Sequence, residues 1–172
     1  MNKLNYMYPF TETFLDYPDD ESLGLSVYIM GCDNDCNDCS NPEFADRKYS
    51  KSICTDVDTL IDYIREASSK SHTNKIIFTG GDPLYKENIE AIKIITNILY
   101  KDFDICIYTG KTIEYVIENK INNFKFLKCS KYISDFKQIS EKTDEYIQFA
   151  SSNQELYDSD FRLLSNDGRY YF

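Results

Sequence analysis

The sequence contains no tryptophan and a single histidine, His72, among its 172 residues. The sequence therefore argues against mechanisms that use a histidine as general base or that pair a histidine with a serine or cysteine nucleophile. His72 lies in a polar segment, residues 68–74 (SSKSHTN), and we expect it to be a solvated loop residue.

Proline and glycine are also scarce, with four and six residues, and no repeat, low-complexity tract or flexible linker is present. The chain is long enough to bury a sizeable core, and its 15 tyrosines and 11 phenylalanines suit one. These features predict a single α/β domain that spans residues 1–172.

Long apolar runs and an excess of basic residues are missing as well. No stretch approaches the roughly 20 apolar residues of a membrane span, and the start, MNKLNYMYPF, lacks the apolar region of a signal peptide. We therefore expect a cytoplasmic protein that does not bind membranes. A net charge of -10 disfavours binding to the phosphates of nucleic acid.

Six cysteines are present, and three of them lie close together. In a reducing compartment such a cluster indicates a metal or catalytic site and not a disulfide framework. Cys32, Cys36 and Cys39 have the spacing C-x3-C-x2-C, which lets one loop place three thiolates around a metal centre. Structural zinc and ordinary 4Fe-4S clusters take four protein ligands, so three would leave one position open.

The spacing alone leaves several interpretations of these cysteines open. One is an open iron-sulfur site, and another is a zinc site completed by Cys54 or His72. A third is that the thiols are merely buried, which is the expected state of Cys106 and Cys129 in apolar surroundings.

The periodicity of apolar residues predicts strands that alternate with helices. Such an alternation is typical of parallel βαβ units, whose ligands gather at the carboxyl ends of the strands. In the helix at 86–100, the predicted inward side chains include Ile95, Ile98 and Leu99. The strands are predicted at 25–30 (LSVYIM), 75–79 (KIIFT), 104–110 (DICIYTG), 131–136 (KYISDF) and 145–150 (EYIQFA), and the helices at 55 or 56 to 69, 86–100 and 112–119.

A second motif, GGDPL (residues 80–84), follows the predicted strand 75–79. Gly80 and Gly81 allow a close approach of backbone to a ligand, Asp82 can accept a hydrogen bond from an amine, and Pro83 stiffens the turn. Taken alone, the motif is also typical of an ordinary turn. It shares with the cysteine loop a position at the carboxyl end of a strand.

Together, GCDNDCNDC (residues 31–39) and FTGGDPL (residues 78–84) resemble the radical S-adenosylmethionine (SAM) superfamily in order, spacing and strand context. Within it, the chain resembles the activating proteins of anaerobic (class III) ribonucleotide reductases over residues 8–157. The aspartate of GGDPL, YTG (108–110) and SSNQ (151–154) carry this closer resemblance. It implies an incomplete (βα) barrel with a mostly parallel sheet.

The resemblance also implies the cofactors and the residues that hold them. Cys32, Cys36 and Cys39 would bind a [4Fe-4S] cluster, and SAM would chelate its remaining iron. CSNPE (39–43) and SDFKQ (134–138) resemble segments of the larger pyruvate formate-lyase activase. Ser40 replaces a common aromatic or histidine, and Phe136 a common glycine. The implied cofactor-binding residues are Asp38, Ser40, Asn41, Gly80, Gly81, Asp82, Pro83, Thr109, Asp135 and Lys137.

The implied function is the reductive cleavage of SAM to place a glycyl radical on an anaerobic ribonucleotide reductase, its protein partner. No protein acid or base is needed, which agrees with the scarcity of histidine. An electron donor such as flavodoxin or ferredoxin is implied as a second partner. The alternatives are radical SAM chemistry on another glycyl-radical enzyme or on a small molecule, as in carboxydeazaguanine synthases, and a non-catalytic zinc-binding interaction module.

Overall fold

The computed structural model of the protein describes residues 2–19 and 23–172. Three α-helices lie in this part: α1 (Val57–Ser71), α2 (Ile89–Leu99) and α3 (Ile113–Glu118). Its strands are β1 (Lys3–Tyr6), β2 (Thr11–Thr13), β3 (Gly24–Ile29), β4 (Ile53–Asp56), β5 (Lys75–Gly80), β6 (Asp104–Tyr108), β7 (Phe126–Cys129), β8 (Glu141–Lys142), β9 (Tyr146–Gln148), β10 (Glu155–Asp158) and β11 (Arg169–Tyr171). Residues 1 and 20–22 lie outside the described part, and the single domain over residues 1–172 stays a prediction.

The main sheet has the strand order β10-β7-β6-β5-β3-β1-β4, and β2 also pairs with β3. Its four central strands, β3, β5, β6 and β7, are parallel. Antiparallel pairing extends the sheet to β1 and β4 at one edge and to β10 at the other. Within the described residues the edge strands β4 and β10 do not pair, so the sheet is open. The predicted α/β fold, an incomplete barrel with a mostly parallel central sheet, is confirmed in that the central strands are parallel and the sheet does not close.

Apolar runs account for the central strands. Ile76, Ile77 and Phe78 of β5 are fully buried, as expected for a strand that is covered on both faces. The helices bury one stripe each, which includes Leu60 and Ile64 on α1. On α2, Ile95 and Leu99 point inward as predicted, whereas Ile98 is 37% exposed. The prediction for Ile98 is wrong. Adjacent residues of a helix point in different directions, so Ile98 faces away from the buried side that Leu99 occupies.

The predicted strand at 131–136 is also wrong. The chain forms β7 earlier, with Leu127 and Cys129 buried at alternate positions against the core. Ser130 then adopts a left-handed conformation with φ of 78°, which ends the strand. The segment Ser134–Phe136 is a 3₁₀ turn. The predicted strand at 145–150 exists as β9, but it belongs to a separate antiparallel sheet with the order β11-β9-β8.

Parallel central strands bring their carboxyl ends to one edge. The cysteine loop leaves β3 there, GGDPL leaves β5, and YTG leaves β6. No helix among residues 2–19 and 23–172 combines the length and the apolar character that crossing a membrane requires.

The N-terminal cap of α1 gives a direct test of this architecture. The Asp56 side chain accepts a hydrogen bond from the Thr59 N–H at 3.0 Å. Its hydrogen bonds with Thr59 lower the pKa of the Asp56 carboxyl group. Asp56→Ala should lower the melting temperature by a few degrees at neutral pH, and Asp58→Ala, in the first turn, should change it less. Because the folded pKa is depressed, the stabilisation by Asp56 is present above the unfolded pKa, near 3.8, and is lost as pH falls through the folded pKa. Equal melting temperatures for Asp56→Ala and the unaltered chain at neutral pH would contradict this role.

Candidate iron-sulfur and SAM site

The cysteine loop runs from the end of β3 to a 3₁₀ turn, Pro42–Ala45. Backbone hydrogen bonds join its two ends: the Gly31 N–H donates to the Phe44 carbonyl at 2.7 Å, and the Cys32 N–H donates to the Ala45 carbonyl at 3.2 Å. The loop is therefore closed at its base, and its cysteines lie within the closed segment.

Two cavities, of about 350 and 190 Å³, lie beside this loop. Both are lined by all three cysteines of the motif, together with Asn41 and Gly81. The first also includes Asp33 and Asp35 of the loop, and the second reaches the ends of β5, β6 and β7. A larger cavity, of about 450 Å³, is lined by residues of the N-terminal segment, β3 and α1 and contains no cysteine. The motif residues thus share one region of space.

Backbone amides face two of the thiols. The Asn34 N–H donates to the Cys32 Sγ at 3.4 Å, and the backbone amide of Tyr132 approaches Cys36. Burial raises the pKa of both thiols, and these amides act in the opposite direction because they favour the thiolate. Hydrogen bonds from amides to sulfur are also one of the means by which proteins set the reduction potential of iron-sulfur clusters.

The donor set fits a 4Fe-4S cluster with one open iron. Thiolates suit both iron-sulfur clusters and zinc. Within the described part of the chain, no three Cys, His, Asp or Glu side chains converge on a single ion position. The three cysteines do line the same two cavities, where a four-iron cluster held by three thiolates would lie. Cys54 lies on β4 and His72 ends α1, and neither lines the two cavities, so no fourth ligand from these residues completes a zinc site.

The turn after β5 packs directly against the cysteine loop. The Gly81 N–H donates to the Ile29 carbonyl, and the Asp82 N–H donates to the Gly31 carbonyl, both at 2.8 Å. A Cβ atom on Gly81 would lie 2.5 Å from the Phe44 carbonyl oxygen and 2.7 Å from that of Gly31. Glycine at this position therefore allows the two loops to touch backbone to backbone.

The Asp82 side chain is fully buried and lines neither cavity. Its Oδ2 accepts from the Asn34 side chain at 2.6 Å and from the Gly110 N–H at 3.1 Å. Its Oδ1 accepts from the Thr109 hydroxyl at 2.7 Å and from the Leu84 N–H at 2.8 Å. Burial raises the pKa of this carboxyl group, and the donors oppose the shift.

The structure brings half of the ten predicted cofactor-binding residues to the cavities. Those that line one or both are Ser40, Asn41, Gly80, Gly81 and Thr109. Four others besides Asp82 do not. Asp38 is exposed and Pro83 is buried within the turn, and Asp135 and Lys137 are exposed as well. The last two lie elsewhere because β7 ends at Cys129 and a 3₁₀ turn replaces the predicted strand.

Sequence reasoning missed Lys128, which lines the second cavity. Its ammonium lies 4.7 Å from the ring centroid of Tyr108 and 5.3 Å from that of Phe149, within cation-π range. Burial lowers the pKa of Lys128 to about 8. The alternation in FLKC could have shown that Lys128 lies on the face opposite Leu127 and Cys129. Asn34, Ser130, Tyr132 and Gln154 also line the cavity and were not predicted.

Comparison with known proteins agrees with this geometry. A family model described as a 4Fe-4S single cluster domain matches residues 21–157. The chain belongs to this 4Fe-4S family. The matched range contains the cysteine loop, GGDPL and SSNQ, so the motif residues lie in the part of the chain that defines the family.

Two further similarities involve individual proteins. The chain is 24% identical over 155 residues to the anaerobic ribonucleoside-triphosphate reductase-activating protein of Enterobacteria phage T4, which covers 88% of this chain and 94% of that protein. This similarity confirms the predicted resemblance. The crystal structure of QueE from Escherichia coli matches 63% of this 4Fe-4S chain with 16% identity and a TM-score of 0.45, and the match spans 54% of the QueE chain.

The contact between the two loops can be tested at Gly81. Gly81→Ala places a methyl group against two backbone carbonyl oxygens, so it should lower the free energy of unfolding by about 1 to 3 kcal/mol. Gly24→Ala is the matched control, because its methyl group meets the terminal methyl of the Ile77 side chain, which can change rotamer, and not a backbone carbonyl. Urea denaturation measures both variants. If Gly81→Ala costs no more than Gly24→Ala, the loops do not depend on this contact.

Proposed function

We propose that this chain is a radical SAM activase that generates a glycyl radical on an anaerobic ribonucleotide reductase. The observation that carries the proposal is that the three cysteines of the loop after β3 and Gly81 of the turn after β5 line the same cavity. Membership of the 4Fe-4S family and similarity to the phage T4 activating protein over 94% of its length support it.

Cys32, Cys36 and Cys39 would hold the cluster, and the second cavity beside them would receive SAM. When bound, a reduced 4Fe-4S cluster and SAM supply a one-electron cleavage of SAM that ends in the abstraction of a hydrogen atom from the substrate. The chain would hold these groups at the carboxyl ends of its parallel strands, where the sheet would shield them from water on one side. None of these tasks requires an acid or base of the protein.

Lys128 would contribute electrostatic binding of SAM. Its ammonium lies in the second cavity between two aromatic rings, and among residues 2–19 and 23–172 no carboxylate comes within ion-pair distance of it. A half-buried cation gains from an anionic ligand, and the carboxylate of the methionine part of SAM is such a group. Lys137, predicted from the sequence to be a cofactor-binding residue, is exposed and lines neither cavity, so we propose this role for Lys128 instead.

Two further elements of the proposal concern the setting of the reaction. The six cysteines are all free, which agrees with the reducing cytoplasm that we propose as its compartment. The single electron would come from a carrier protein such as a flavodoxin or ferredoxin, because the proposed chemistry consumes one electron in each SAM cleavage.

Electron paramagnetic resonance tests the function as a whole. The chain is reconstituted with iron and sulfide, reduced without oxygen, and incubated with SAM and a class III reductase. We expect a doublet signal of a glycyl radical on the reductase, and none when SAM is omitted. A signal only with a different glycyl-radical enzyme would reassign the partner, and SAM cleavage that leaves no protein radical would indicate a small-molecule substrate.

The ligand role of the cysteines gives a sharper test. Cys36→Ala should abolish the brown chromophore and SAM cleavage because the cluster loses one of three thiolates. Cys54→Ala is the matched control, since Cys54 is exposed on β4 away from the cavities. Iron and sulfide analysis after anaerobic purification measures the result, with about four of each expected in the control. Full iron content in Cys36→Ala, or about one zinc and no iron in the unaltered chain, would contradict the proposal.

The role of Lys128 can be separated from general damage by changing the ligand as well as the residue. Lys128→Met should weaken the binding of SAM about tenfold, by loss of one charge-assisted hydrogen bond, but leave the binding of decarboxylated SAM nearly unchanged. Lys125→Met is the control, because Lys125 is paired with Asp104 at the other end of β7. Equilibrium dialysis gives the four affinities. An equal loss for both ligands would show that Lys128 does not contact the carboxylate.

A further inference from the structure

The position of Asp82 does not agree with a role in binding the amine of a ligand. Its carboxylate is fully buried, and each oxygen already accepts two hydrogen bonds from this chain, at 2.6 to 3.1 Å. A carboxylate has about four lone-pair sites, so these donors saturate it. An incoming amine would have to displace one of them.

The donors to Asp82 come from three different segments. Leu84 belongs to its own turn, Thr109 and Gly110 follow β6, and Asn34 lies inside the cysteine loop. These three segments are far apart in sequence and meet only because their strands are neighbours in the sheet. The buried carboxylate is the common acceptor that ties them together.

Asn34 connects this carboxylate to the cluster thiols. Its side chain donates to Asp82, and its backbone N–H donates to the Cys32 Sγ at 3.4 Å. The approach is close, because a Cβ atom on Gly110 would lie 2.2 Å from the Asn34 Nδ2. The neighbouring Asp33 forms an ion pair with Lys111, so consecutive loop residues are attached to the segment that follows β6.

We propose that Asp82 and Asn34 are positioning residues that form a clasp, which fixes the cysteine loop against the turns after β5 and β6. The inference rests on the proposed function only for its consequence, namely that the clasp sets the position of the cluster relative to the SAM cavity. The contacts of the clasp lie within the chain itself. It replaces the expectation that Asp82 binds the SAM amine.

Hydrogen exchange of the metal-free chain tests the clasp without any cofactor. Asn34→Ala removes the donor from a half-buried position, and Asn37→Ala removes an exposed asparagine from the same loop as the matched control. We expect the amides of residues 32–39 to exchange about tenfold faster in Asn34→Ala than in Asn37→Ala. Equal exchange in the two variants would overturn the proposal.

Asp82→Asn tests the acceptor side. Its new amide group would face two donors, so the same segment should exchange faster. Combining Asp82→Asn with Asn34→Ala should add little to the exchange of the cysteine loop, because both changes disrupt the bond between Asn34 and Asp82. The melting temperature shows whether Asp82→Asn folds, and if it does not, the comparison of Asn34→Ala with Asn37→Ala still decides the question.

The loaded protein distinguishes positioning from ligand binding. With a clasp, Asn34→Ala and Asp82→Asn should release iron to a chelator about tenfold faster than Asn37→Ala. If Asp82 instead binds SAM directly, Asp82→Asn would keep its iron but lose SAM affinity, and that result would overturn the proposal. Failure of the unaltered chain to bind iron would refute the proposed function but not the clasp, which the exchange experiment tests separately.

Discussion

The contact between two backbones holds the site together. Gly81 approaches the carbonyl oxygens of Gly31 and Phe44 so closely that no side chain fits between them. The Asp82 N–H donates to the Gly31 carbonyl from the same turn. Through this contact the loop after β3 and the turn after β5 form one surface, and the cavities lie along it. The parallel order of the central strands is what brings these loops to the same edge.

Charge is distributed unevenly around this surface. The chain carries a net charge of -10, and Asp33 and Asp35 line the first cavity. Negative groups near an iron-sulfur cluster disfavour the addition of an electron. For a cluster at the proposed position, the ion pair of Asp33 with Lys111 would offset part of this effect, and the amide donors at Cys32 and Cys36 would offset another part. Lys128 places a positive charge in the second cavity, so the two cavities differ in the ligands they favour.

Sequence patterns predicted the parallel central strands and the cysteine motif because both can be read from residues that are close together in the sequence. Apolar strands such as β5, and cysteines at fixed spacing, can be recognised without knowledge of distant contacts. The antiparallel edge strands β1, β4 and β10 were missed because they are short and become strands through their pairing partners. Lys128 was missed for a related reason, since the misplaced strand at 131–136 hid the true register of β7. The bonds of Asp82 to Asn34 and Thr109 join residues 48 and 27 positions away, which no local pattern reveals.

In its proposed function, this chain directs hydrogen abstraction from a glycine of a partner protein. The most direct measurement of this step is isotope transfer from a class III reductase whose glycines carry deuterium at Cα. After one turnover with the reconstituted chain, SAM and a reductant, mass spectrometry of 5'-deoxyadenosine should show one deuterium. Formation of 5'-deoxyadenosine without deuterium, in the presence of this reductase, would contradict the account.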